Sequence, residues 1–166
     1  KTYKYLSYAG NNGKKLKFVG SYMIEKKMIS KDQSYVHNQR DYLNDHPEVE
    51  EDVFSQTPSY IFFKETTHEP LGIGNTPLTD NRSLASDKRI YKEYGILNFI
   101  TTKMPSIEDD GSIKLNNFSR FFISQDTGGA IRGNARADLY FGIGKAGETP
   151  ANYLHQLGTQ IFLIKK

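Results

Sequence analysis

Cysteine and tryptophan are both missing from this chain of 166 residues, and methionine occurs only three times. Without Cys there are no disulfides and no thiolate zinc sites, and the redox compartment is left open. Long apolar runs are missing too. The longest, such as Tyr60–Phe63 and Ile161–Ile164, are far too short to span a bilayer as helices, and no signal-peptide pattern opens the chain. A soluble globular protein is the expectation. The four histidines, His37, His46, His68 and His155, show no HExxH or other zinc spacing, so no metal is expected. No Walker or dinucleotide glycine pattern occurs, so no cofactor is expected. Basic residues are scattered, with no Arg-rich stripe and no RNA-type aromatic motif; a net charge of +3 and a pI near 8.9 suit an anionic polymer without pointing to nucleic acid. The chain begins at Lys1 rather than Met, which reads as a processed form or a fragment.

Aromatic residues and glycine are plentiful, with 11 Tyr, 10 Phe and 14 Gly, and they punctuate the chain into short elements. Tyr3–Tyr8 reads as a strand and Ala9–Gly13 as a turn. Val19, Tyr22 and Met23 recur at helical spacing, ending near Lys26 and Lys27. Ser30 with Gln33 reads as a capping box, followed by a helix with Val36, Gln39 and Leu43 on one face. Pro47, with Glu48, Glu50 and Glu51 behind it, opens a helix expected to bury Val49, Val53 and Phe54. Ser59–Lys64 reads as a buried strand. From His68 to Asn81, two Pro and two Gly mark a plausible domain boundary, and beyond it the pattern is nearly all β. Gly95–Thr102 reads as a strand, Asp110-Gly111 as a turn feeding Ile113–Leu115, Thr149-Pro150 as a helix start with Tyr153, Leu154 and Leu157 inward, and Gln160–Ile164 as a last strand.

The chemistry concentrates in Phe118–Gly144, FSRFFISQDTGGAIRGNARADLYFGIG. Phe118–Ile123 and Leu139–Ile143 read as strands around a turn holding Gly128, Gly129 and Gly133, with Asp126 and Asp138 on its two flanks. Such a hairpin places two carboxylates at a sheet rim, where catalytic groups commonly sit. The plainer reading is turn chemistry, since Asp caps its own backbone and Gly takes positive φ freely. Asp126-Thr127-Gly128 is also the aspartic-protease tripeptide, but that chemistry needs a second copy or a symmetric dimer. Calcium needs more oxygen ligands at close alternate positions than Asp126 and Asp138 supply.

SLASD (Ser83–Asp87), QDTGGAIRG (Gln125–Gly133) and RADLYFGIG (Arg136–Gly144) resemble the three-aspartate domain of the membrane-bound lytic murein transglycosylase A family. YAGNNG (Tyr8–Gly13), RDYL (Arg40–Leu43), PSYIFF (Pro58–Phe63), PLT (Pro77–Thr79) and GTQIFLIK (Gly158–Lys165) resemble family segments in the same order, so the similarity covers essentially the whole chain. It implies a mainly β fold: the C-terminal half of a double-psi β-barrel over residues 69–166, part of an inserted smaller β-rich domain with short helices over residues 1–68, and a glycan groove between them. It implies Asp138 as catalytic acid/base with Asp126 and Asp87 as supporting carboxylates. Where family members carry a Ser-Met-Gln-like segment before RDYL, this chain reads SYVHNQ, one residue longer, which makes Gln39 the candidate groove glutamine. The family's first barrel half has no counterpart here, so this chain is expected to be the C-terminal piece of a larger polypeptide, folded against a missing N-terminal companion.

The resemblance further implies cleavage of peptidoglycan glycan strands between N-acetylmuramic acid and N-acetylglucosamine, with 1,6-anhydro ends, in the bacterial periplasm, and anchoring to the outer membrane by a lipid outside this chain. Asp138 is expected to be raised in pKa by burial and by Asp126 and Asp87. Thr127 with Gly128 and Gly129 are candidates to stabilise developing charge, and Tyr140 or Phe141 to stack on a sugar. Arg132 and Arg136 are read as partners for a stem-peptide carboxylate, for Asp126, or as solvated charge. The competing class is a non-catalytic glycan-binding module on the same barrel.

Overall fold

The computed structural model describes residues 4–69, 71–92 and 94–163. The chain divides into two compact units, Lys1–His68 and Glu69–Lys166.

In the first unit two strands, β1 (Tyr5–Asn11) and β2 (Ile61–Thr66), pair antiparallel, and three short helices lie between them in sequence: α1 (Val19–Glu25), α2 (Val36–Asp45) and α3 (Glu50–Ser55). β1 runs on to Asn11, into the expected Ala9–Gly13 turn, by means of a bulge between Tyr8 and Gly10. Tyr3 of the expected first strand lies outside the described residues. Tyr22, Met23, Ile29 and Val53 form the small core, closed by the Tyr22 hydroxyl donating to Asp52 at 2.7 Å. The Ser30/Gln33 capping box is present, its Gln33 side chain accepting from the Ser30 backbone N–H at 3.1 Å. Two expectations fail here. Phe54 is exposed, because the one inward position of the short α3 is taken by Val53. β2 is not buried either: Ile61, Phe62 and Phe63 are all exposed on a two-stranded ribbon that has too little sheet to cover both faces.

The second unit is a five-stranded mixed sheet of β3 (Ser83–Ala85), β4 (Leu97–Ile107), β5 (Ile113–Asp126), β6 (Asp138–Leu139) and β7 (Thr159–Leu163), in the order β6-β3-β5-β4-β7. Its spine is β4 against β5, antiparallel over eleven paired positions from Leu97↔Ile123 to Ile107↔Ile113. The two separate strands expected over 113–123 are thus one. β7 adds antiparallel to the other side of β4, with Ile164 outside the described residues, and β3 adds parallel to β5. β6 is only Asp138–Leu139 and pairs with β3; the chain leaves the sheet at Tyr140 and turns through Gly142, whose φ of 85° suits glycine. α4 (Lys145–Tyr153) starts after Gly144, four residues earlier than Thr149-Pro150 suggested, and Leu157 is fully exposed beyond it. The sheet is open among the described residues.

One face of the sheet is a core of Leu84, Ile100 and Phe122, with Phe118, Ala137 and Leu139 against it. Burying Phe122 completely contributes about 2–3 kcal/mol of transfer free energy. Asn98 is buried on the same face and fully engaged: its amide donates to the Ile96 carbonyl at 2.7 Å and to Ser124 Oγ at 3.1 Å, and its oxygen accepts from Gln160 at 2.8 Å.

Candidate active site

The short β3 organises the site. Ala85 pairs with Asp126 on one side and with Asp138 on the other, so the glycine loop does not close a simple hairpin. The returning strand lands across β3 instead of beside β5. With strands about 4.8 Å apart, that leaves the two aspartate backbones roughly 10 Å from each other. Asp126 and Asp138 nonetheless line one cavity of about 250 Å³, with Thr127 and Tyr140 in its wall. Asp138 also lines a larger one, about 640 Å³, together with Arg136, Phe141, His155 and Gln160.

The three aspartates occupy three different environments. Asp87 is completely buried just beyond β3. Arg89 grips it with two nitrogens, Nε to Oδ1 at 3.0 Å and Nη2 to Oδ2 at 2.7 Å, and its backbone N–H adds a third bond at 3.0 Å. Gly133, at φ 95°, donates its N–H at 2.9 Å from the far end of the glycine loop. The Arg89 guanidinium first, then the Gly133 N–H, hold the Asp87 carboxyl well below the usual carboxylate range. Asp126 is half-buried, and burial pushes its carboxyl up, against a lowering bond from the Thr127 N–H. Asp138 is 46% exposed and held by Arg136, Nε to Oδ1 at 2.9 Å and Nη2 to Oδ2 at 3.1 Å. That fork in turn raises the Arg136 guanidinium's pKa.

These environments correct one expectation. Asp138 is not buried but 46% exposed, on the sheet's edge strand β6; Asp126, at the end of β5, is the half-buried one. Asp87 is turned to Arg89 and the loop, while Asp126 shares the smaller cavity with Asp138. Among the described residues no three His, Asp or Glu side chains stand together as a metal site.

The other expected site residues divide in the same way. The Thr127 hydroxyl donates to the Ser86 carbonyl at 2.9 Å, tying the loop to the end of β3. The Gly128 carbonyl accepts from the Ile131 N–H at 3.1 Å and from Arg132 at 3.2 Å, while Gly129 is exposed. Tyr140 faces the smaller cavity and Phe141 is buried. Gln39, in the first unit, donates to the Ser34 carbonyl at 2.7 Å and lies against Gly20, where a Cβ would sit 2.6 Å from its amide nitrogen. Arg89 and the Gly133 N–H escaped the sequence reading, as did the Arg136–Asp138 pair. Both arginines stand two residues from their aspartate, Arg136 on the approach to β6 and Arg89 in the turn that Asp87 caps through the Arg89 N–H.

The second unit is thus an open sheet carrying a glycine-rich aspartate loop, and the first a small helical unit with a two-stranded ribbon. The family model of the 3D domain matches residues 82–163, and that of the MltA specific insert domain matches residues 1–64. The chain belongs to the membrane-bound lytic murein transglycosylase A family. It is 30% identical over 154 residues to that protein of Escherichia coli strain K12, which covers 91% of this chain and 41% of the relative. To that of Vibrio cholerae it is 31% identical over 158 residues, 93% of this chain and 42% of the relative. Among solved structures, the membrane-bound lytic murein transglycosylase of Agrobacterium tumefaciens matches with TM-score 0.77 and 31% identity, over 96% of this chain and 44% of that one. E. coli MltA with bound chitohexaose matches with TM-score 0.76 and 27% identity, over 98% and 48%. The chain therefore spans less than half the length of the relatives it matches. Among its described residues no helix is long and apolar enough to cross a membrane.

Proposed function

We propose that this chain carries the acid/base site of a peptidoglycan lytic transglycosylase. Asp138, protonated, donates to the glycosidic oxygen between N-acetylmuramic acid and N-acetylglucosamine, and the C1–O bond breaks. The resulting carboxylate takes the proton of the muramic C6 hydroxyl as that oxygen bonds to C1, giving a 1,6-anhydro end and restoring the acid. No water is consumed, so one carboxyl group serves where ordinary glycosidases use two. The observation that carries the reading is the placement of Asp138 on the edge strand, half-exposed and shared between two cavities.

In this reading Asp126, on the far side of Ala85, is the half-buried neighbour that hydrogen-bonds a sugar hydroxyl or the reacting centre. Asp87 acts through structure, holding the loop that leads to Asp138. Tyr140 supplies a stacking or hydrogen-bonding wall, Thr127, Gly128 and Gly129 shape the approach, and Gln39 belongs to the glycan-binding surface of the insert. The remainder of the enzyme, including an N-terminal barrel half and a lipid anchor to the outer membrane, lies in sequence beyond this chain, and the working compartment is the periplasm.

The test is digestion of purified sacculi by the full-length protein and by its Asp138→Asn variant, with mass spectrometry for anhydromuropeptides. Release by the wild type and loss in the variant is the expected result. Equal release by both removes Asp138 from the mechanism, and binding without release by either makes the protein a glycan-binding module.

A further inference from the structure

Asp138 cannot meet a glycosidic oxygen while both of its own oxygens accept from Arg136. Something has to draw the guanidinium away. Arg136 is anchored for such a move by its third nitrogen, which donates to the Ala130 carbonyl at 3.1 Å, so it can swing while staying tied to the glycine loop. The pair is half-exposed on both sides, 49% and 46%, and ion pairs of that exposure hold weakly enough for another carboxylate to compete. The neighbouring arginines are committed elsewhere: Arg89 to buried Asp87, and Arg132 to the Gly128 and Ile131 carbonyls. Among the described residues, Asp138 and Arg136 are also the one acid and the one arginine lining the larger cavity.

We infer that Arg136 is a positioning and specificity residue: a carboxylate on the muramyl lactyl group or its stem peptide takes over the guanidinium, and the released Asp138 carboxylate takes a proton from solvent and becomes the acid. The inference rests on the lytic reading above and adds to it a reason for preferring anionic glycan over neutral oligomers. The glycan's own negative charge unlatches the acid.

The test compares glycan strands stripped of stem peptides, whose lactyl groups are free carboxylates, with the same strands after amidation by methylamine. Using the full-length protein, the wild type should cleave the amidated strands about three- to tenfold more slowly, mostly through kcat, the range expected for exchanging one bidentate pair. Arg136→Gln should bring the ratio of the two rates close to one, whatever its absolute rate. Because Arg136→Gln also removes the bond to Ala130, Arg136→Lys provides the second measurement: a cation with no fork should keep a reduced preference for the carboxylate strands. Cleavage of both strands at equal rates by the wild type overturns the inference and leaves the lytic activity standing. An Arg136→Gln ratio unchanged from the wild type overturns it as well, and cleavage of neither strand overturns the lytic reading and this inference together.

Discussion

Asp87 with Arg89 and Asp138 with Arg136 are the same chemical pair at the same spacing, two residues apart, in opposite surroundings. Asp87 has no exposed surface and collects four hydrogen bonds, one of them from Gly133 forty-six residues away. Asp138 has about half its side chain in solvent and two bonds, both from Arg136. Burial converts the first pair into a fastener between β3 and the glycine loop, since a carboxylate removed from water has to be satisfied by protein donors. Exposure leaves the second exchangeable. A motif of three aspartates therefore hides a division of labour between a group that must stay ionised and one that can change partners.

That contrast can be broken experimentally at several points. The largest effect belongs to activity: Asp138→Asn should lower the rate of anhydromuropeptide release by about 10²–10⁴-fold, while its thermal unfolding stays within about 0.5 kcal/mol of the wild type. Next comes stability at the buried pair. Asp87→Ala leaves the Arg89 guanidinium and the Gly133 N–H without their acceptor, and a drop in Tm of about 5–10 °C is expected by calorimetry. Arg89→Gln should lower Tm by several degrees and Arg136→Gln by a degree or two, because solvent screens the exposed pair; equal losses would erase the distinction drawn between them.

The smallest effect is in the pH dependence, and its sign differs between the two covered carboxylates. Asp87 binds its proton more weakly folded than unfolded, so its contribution is fully present above the unfolded value of about 4 and is lost as pH falls through the lowered folded value. Asp126 binds its proton more tightly folded, so its contribution is present below the unfolded value and is lost as pH rises through the raised folded one. Asp126→Asn, which fixes the neutral form, should flatten the decline in Tm above about pH 4 and leave the neutral-pH protein slightly more stable. Thermal scans from pH 3 to pH 8 measure it.

Local signals carried the elements of both units, among them the Gly95–Thr102 and Gln160–Ile164 strands and the Asp110-Gly111 turn of the second, but not how strands distant in sequence pair. Ser30 and Gln33 announced their capping box because its partners lie three residues apart, and Tyr22, Met23 and Val53 announced their burial by helical spacing. Exposure of Phe54 and of the Ile61–Phe63 strand went the other way, since periodicity reports which face is apolar and not whether anything covers it. In the second unit the loop around Gly128 and Gly129 was legible, but the strand lying between its two flanks was not.

The amino-acid sequence was enough to mark the family, and Asp87, Asp126 and Asp138 all fall inside the segment that the 3D domain model matches. Tertiary structure alone decided what each of them is fit to do. β3 enters the sheet from more than thirty residues upstream and seats Ala85 between Asp126 and Asp138. Pairing across that distance fixes burial and hydrogen-bond partners, and those, rather than the identity of the side chain, set how a carboxyl group holds its charge.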